Sequence, residues 1–160
     1  MKPGIALRAS LMSPALALLA AAPVSAGTSP SQFRVTLTIQ AECKLTVAND
    51  IAFDTISADG SIGEQCTNST PYSIGLNAGA GTGATVNVRK MSATAGGAVN
   101  YMLYRDAAAT QIWGNTISTN TIAATGAGAV QTFTVYGRVP AQTAPTAGSY
   151  SDIVQVVITY

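Results

Sequence analysis

Gln32-Phe33-Arg34-Val35-Thr36-Leu37-Thr38-Ile39-Gln40 alternates apolar and polar side chains and points to a β fold. Phe33, Val35, Leu37 and Ile39 share one face, and Arg34, Thr36 and Thr38 the other. A two-residue apolar period is the mark of a half-buried β-strand. The stretch lies close behind an N-terminal segment with a different character. Its position makes it a free end, able to reach something outside its own fold.

That segment, residues 1–26, reads as a signal peptide. Lys2 and Arg8 make a positive start, Ala15 to Ala22 are mostly apolar, and Val24-Ser25-Ala26 supplies small residues for cleavage. Pro14 interrupts an apolar stretch already shorter than the ~20 residues needed to span a bilayer. The chain is therefore expected to be exported and to begin, once processed, at Gly27. Beyond residue 26 stand six basic and seven acidic residues. That balance argues against nucleic acid or an anionic membrane as partner, because both select clustered Lys and Arg. Charged residues are 9% of the chain, against about 25% in an average soluble domain. A surface of Thr, Ser, Ala and Gly carries little charge to keep copies apart, which suits a subunit that stacks.

The rest of the chain reads as short strands at 43–47, 72–76, 85–89, 99–104, 112–113, 130–139 and 153–160, rich in Val, Ile, Thr, Tyr and Phe. Turn clusters separate them, among them Ala58-Asp59-Gly60-Ser61, the glycine-rich run from Asn77 to Gly83, and Gly126-Ala127-Gly128. No stretch keeps a 3.6-residue apolar period with helix caps, and the Ala-rich pieces at 107–109 and 123–124 are too short to count as helices. The pattern is that of an all-β sandwich in one domain. The last stretch, Ile153-Val154-Gln155-Val156-Val157-Ile158-Thr159-Tyr160, is apolar on both faces and predicts a strand needing a neighbour on each side. Cys43 and Cys66, an even pair in an exported chain, predict a disulfide closing a loop of about 24 residues, worth about 3 kcal/mol.

Catalysis finds no support. The chain has no His, and its acids Glu42, Asp50, Asp54, Asp59, Glu64, Asp106 and Asp152 are scattered. Two cysteines without His make a poor metal site, so no metal or cofactor is expected. The run from Gly79 to Gly83 lacks the Gly-Lys-Ser/Thr ending of a phosphate loop. Tyr101, Tyr104, Trp113 and Tyr136 read as core or semi-buried packing. Arg105-Asp106 reads as a turn with a local ion pair.

Several marks in fixed order resemble the spore coat protein U family, which includes pilins of archaic (Csu-type) chaperone–usher pili. They are Phe33-Arg-Val-Thr-Leu-Thr-Ile-Gln-Ala-Glu-Cys43, Cys66-Thr-Asn-Ser-Thr-Pro-Tyr72, Arg89-Lys-Met91, Tyr101-Met-Leu-Tyr-Arg-Asp106, Trp113-Gly114, Thr134-Val-Tyr-Gly-Arg-Val-Pro140 and Gly148-Ser-Tyr-Ser-Asp152. The resemblance covers nearly the whole chain beyond residue 26. It implies an incomplete immunoglobulin-like, Greek-key sandwich that lacks its final strand. A periplasmic chaperone lends that strand first, and an outer-membrane usher then exchanges it for the N-terminal strand of the next subunit, a form of strand addition.

On this reading residues 27–40 are the donor strand, with Phe33, Val35, Leu37 and Ile39 as its pegs, and residues 41–160 are the pilin domain. Val154, Val156, Ile158 and Tyr160 line the acceptor groove or meet the chaperone. The implied function is a non-enzymatic subunit of a surface pilus, partnered by identical or related pilins and serving adhesion and biofilm formation. A single domain points to a shaft or adaptor subunit. The alternatives are a self-complete secreted sandwich that binds carbohydrate or another ligand, and a coat protein that forms no pili. The chain departs from the family at Ser57-Ala-Asp-Gly-Ser-Ile-Gly-Glu-Gln65, which is short and poor in β-formers. A shortened or irregular strand is expected there.

Overall fold

The computed structural model describes residues 27, 31–53 and 56–160. The proposed signal peptide, residues 1–26, lies outside them. The chain divides into two units, Met1–Leu37 and Thr38–Tyr160. In the first, residues 31–37 take no regular secondary structure and stand exposed, Phe33 at 87% and Leu37 at 84%. Ile39, at the start of the second unit, is exposed as well. The alternating stretch therefore forms no strand with any described residue, contrary to the expectation for 33–40. Alternation supplies an apolar face, but a strand also needs an edge to take its N–H and C=O groups.

The described residues of 38–160 hold eight strands: β1 (Cys43–Ala48), β2 (Ser57–Cys66), β3 (Pro71–Leu76), β4 (Arg89–Ser92), β5 (Ala98–Tyr104), β6 (Ile122–Thr125), β7 (Val130–Arg138) and β8 (Val156–Thr159). They build two antiparallel sheets, one ordered β1-β2-β7-β5-β4 and the other β6-β3-β8. The all-β, immunoglobulin-like sandwich expected from the sequence is what the chain forms. Its core takes Ile62 and Cys66 from β2, Tyr101 and Leu103 from β5 and Val135 from β7. The second sheet answers with Tyr72, Ile74 and Leu76 of β3. Trp113, in a loop, is fully buried and donates from Nε1 to Ile74 O at 3.0 Å.

The largest correction is β2. The segment read as short and irregular is the longest strand, ten residues, paired with β1 on one edge and along nearly its whole length with β7 on the other. Its glycines explain both the weak β-signal and the strand. A Cβ at Gly60 would sit 2.6 Å from Ile51 Cγ1 and 3.1 Å from Asn49 O. One at Gly63 would sit 2.8 Å from Thr46 Oγ1 and 3.3 Å from Val47 Cβ. Residues 46–51 thus cross β2 at a distance only glycine permits, next to a bulge between Leu45 and Val47. Tertiary pairing here overrides intrinsic propensity.

Smaller corrections follow the same logic. The strand expected at 85–89 begins at Arg89, because Thr85 and Val88 bond each other's backbone and Thr85 Oγ1 also accepts from Val88 N at 3.1 Å, closing a turn. Residues 112–113 contribute one bridge, Tyr104 to Ile112, and no strand. The Ala-rich 122–125 is β6, completed by β3. Arg105 and Asp106 form no ion pair. Arg105 donates to Thr121 O at 2.7 Å, while the Asp106 carboxylate accepts from Thr110 and Gln111 N–H groups. Cys43 and Cys66 are disulfide-bonded, fastening β1 to β2.

Candidate functional site: the groove beside the terminal strand

β8 has a partner on one edge only. It pairs with β3 through Ser73–Thr159, Ile74–Ile158, Gly75–Val157 and Leu76–Val156, and no described strand takes its other edge. Its two faces also differ. Val154, Val156 and Ile158 pack against the core, whereas Val157 is 49% exposed. The sequence reading of a strand buried on both faces therefore fails: the outward face is half open, and the strand lies at a sheet margin.

Beside that open edge lies a cavity of about 500 Å³. Residues 48–53 form one wall, and residues 150–152 with Val154 and Val156 another. The floor is the hydrophobic core itself: Ile62, Leu76, Leu103 and Val135. Core side chains at the bottom of an open cleft mark a sandwich whose two sheets are not closed along this side. The wall of residues 48–53 is placed by the close crossing over β2 described above, so Gly60 and Gly63 act on the groove at one remove.

One end of the groove is polar and already satisfied. Asp152 Oδ2 accepts from the Tyr101 hydroxyl at 2.7 Å, and Oδ1 from Ala80 N at 2.7 Å and Ile153 N at 2.8 Å. Burial, then the bond to Asp152, pushes the Tyr101 phenol up from its ordinary value. Gly79 permits the approach: its φ is +83°, and a Cβ there would stand 2.0 Å from Asp152 Oδ2. The loop that carries Gly79 is tied down by the buried Arg89. Its guanidinium donates to the carbonyls of Leu76, Asn77, Val86 and Trp113 at 2.8–3.1 Å. Burial lowers its pKa to about 10, opposed by nearby Tyr101 and Asp152, so it stays charged at neutral pH.

The residues named from sequence fall unevenly on this geometry. Val154 and Val156 line the groove. Ile158 packs against the core outside the lining, and Tyr160, past the end of β8, is 60% exposed. Phe33, Val35, Leu37 and Ile39 are all strongly exposed. Sequence reasoning missed the wall of residues 48–53. The signal was present in Ile51 and Phe53, two apolar residues at strand spacing directly after β1. It also missed the pairing of Tyr101 with Asp152, although both stand in the quoted marks.

Residues 29–157 match the sequence profile of the Spore Coat Protein U domain. The chain belongs to this family. Among solved structures, this spore coat protein U domain is similar to a chain in the crystal structure of the CsuC–CsuE chaperone–tip adhesion subunit pre-assembly complex from archaic chaperone–usher Csu pili of Acinetobacter baumannii. The TM-score is 0.62 at 21% identity, over 77% of this chain and 41% of that one. At that identity the likeness is one of fold, and the present chain spans about two fifths of the other's length. No curated protein sequence matches.

Proposed function

We propose that this chain is a structural subunit of a chaperone–usher pilus, exported through the periplasm and polymerised by donor-strand exchange at the cell surface. The observation that carries the reading is the open edge of β8 over a groove floored by the core. An added strand would take the unpaired backbone groups of β8 and cover apolar floor at the same time. The exposed stretch with Phe33, Val35, Leu37 and Ile39 has the form such a donor requires. Burying those four side chains is worth about 1.5–3 kcal/mol each. Donor and acceptor belong to different parts of one subunit, so the contact is head-to-tail and repeats into an open filament. Surface adhesion and biofilm formation are the roles such a filament would serve. Membership in the family and the fold shared with a Csu complex chain support the reading. The groove suits a strand better than a sugar, since its Tyr101 hydroxyl and Asp152 carboxylate already satisfy each other.

The test is deletion of residues 28–39. The reading requires a protein that still binds its periplasmic chaperone and no longer forms filaments. A truncated chain that is a stable monomer without any chaperone sinks it, because the fold would then be complete without a donor.

A further inference from the structure

Glu64 is a fully buried acid at the heart of β2. Its Oε1 accepts from the Tyr72 hydroxyl, which also reaches Gln131 Oε1 at 3.3 Å. Its Oε2 has no hydrogen-bond partner among the described residues. An unsatisfied buried carboxylate oxygen costs stability and calls for a reason. The neighbours supply one. Glu64 and Cys66 are two apart on β2 and share its inward face, and Cys43 is the cross-strand partner of Cys66. A carboxylate oxygen of Glu64 and both sulfurs lie within 4.8 Å of one another. The other groups facing Glu64 are uncharged or phenolic: Tyr72 from β3 and Gln131 from β7, while β8 packs the apolar Ile158 against the same core.

We propose that Glu64 is the proton acceptor that closes the Cys43–Cys66 disulfide in the folded, reduced chain. Cys66 is 1% exposed and Cys43 less buried, so Cys43 is the thiol that meets an outside disulfide oxidant, RSSR. Cys43 attacks RSSR, forms Cys43–S–S–R and releases RSH. The Cys66 thiol must then ionise in a buried site, where ionisation is disfavoured. Glu64 takes its proton as the Cys66 sulfur attacks the Cys43 sulfur. The S–S bond to R breaks, RS⁻ leaves, and the proton passes to it. Two thiols are oxidised, one RSSR is reduced to two RSH, and Glu64 ends as it began. Its free oxygen is what this step leaves behind. The consequence reaches the groove, since the disulfide fastens β1 to β2 and residues 48–53 continue from β1 as the groove wall.

The test is to reduce the full chain under native conditions, add glutathione disulfide and trap thiols with time, resolving the mixed disulfide from the closed form. In the wild type the second step should rise with pH far less steeply than tenfold per unit, because it does not wait for free thiolate. In Glu64→Gln that step should slow by about 100-fold and climb about tenfold per pH unit, with the mixed disulfide accumulating. The first step should be unchanged, and in urea the two proteins should close at equal rates. Equal second-step rates in the folded proteins would overturn the proposal. If the variant does not hold its reduced fold, the wild-type profile decides alone, and a tenfold rise per pH unit there overturns it. So does a reduced wild type that is unfolded, because Glu64 would then not be placed to act.

Discussion

Residues 33–39 and β2 behave in opposite ways. The first has a clean two-residue apolar period and pairs with no described strand. The second has Ser, Asp and two glycines among its ten residues and is a strand paired on both edges. The period is a property of the chain, written in side chains. Pairing is a property of the neighbours, set by which backbone edges can approach. A segment with the pattern but no edge stays open, and one with two edges but no pattern becomes an interior strand of a sheet.

This comparison can be broken from either side. The largest effect is expected in residues 33–39. Replacing both Val35 and Leu37 by Asp should abolish filaments in electron micrographs while moving the domain's urea unfolding by less than ~0.5 kcal/mol, as for exposed positions. A large loss of domain stability instead would show that these side chains serve their own fold. On the β2 side, replacing Cys43 and Cys66 together by Ala should cost about 3 kcal/mol in urea unfolding, by releasing β1 from β2. Gly60→Val should cost about 1–3 kcal/mol, because the added side chain meets Ile51 and Asn49. If it stabilised β2 as a β-former, the account of the close crossing would fall. The smallest effect is at the groove. Tyr101→Phe removes one hydrogen bond to a carboxylate and should cost about 1–2 kcal/mol with filament assembly retained. Loss of assembly with unchanged stability would make that hydroxyl a direct contact of the incoming strand.

Much of the fold was legible. Strands β1, β3, β5 and β7 lie within a residue or so of their β-forming runs. In β3, β5 and β7 the apolar residues both favour strand and face the core, while β1, with Leu45 and Val47 exposed, is held by its pairing with β2. Where backbone or side-chain bonds compete, legibility ended. Thr85 and Val88 close a turn and displace β4, and Ile122-Ala-Ala-Thr125 is a strand only because β3 offers an edge. The site was half legible. Val154 and Val156 were named and line the groove, while the wall opposite depends on glycines in another strand. The buried charges were the least legible. Nothing in the spacing of Arg89 or Glu64 announces a guanidinium held by four carbonyls or a carboxylate beside a disulfide.

Composition and two-residue periods act locally, and they were enough to make the chain all-β, to pair its two cysteines and to set an N-terminal apolar face. That β8 is a margin, that β2 lies inside its sheet and that a groove opens onto the core between them came from the packing of the whole chain. Those facts depend on which edges are taken and how closely backbones cross, and both are set by residues far apart in the chain.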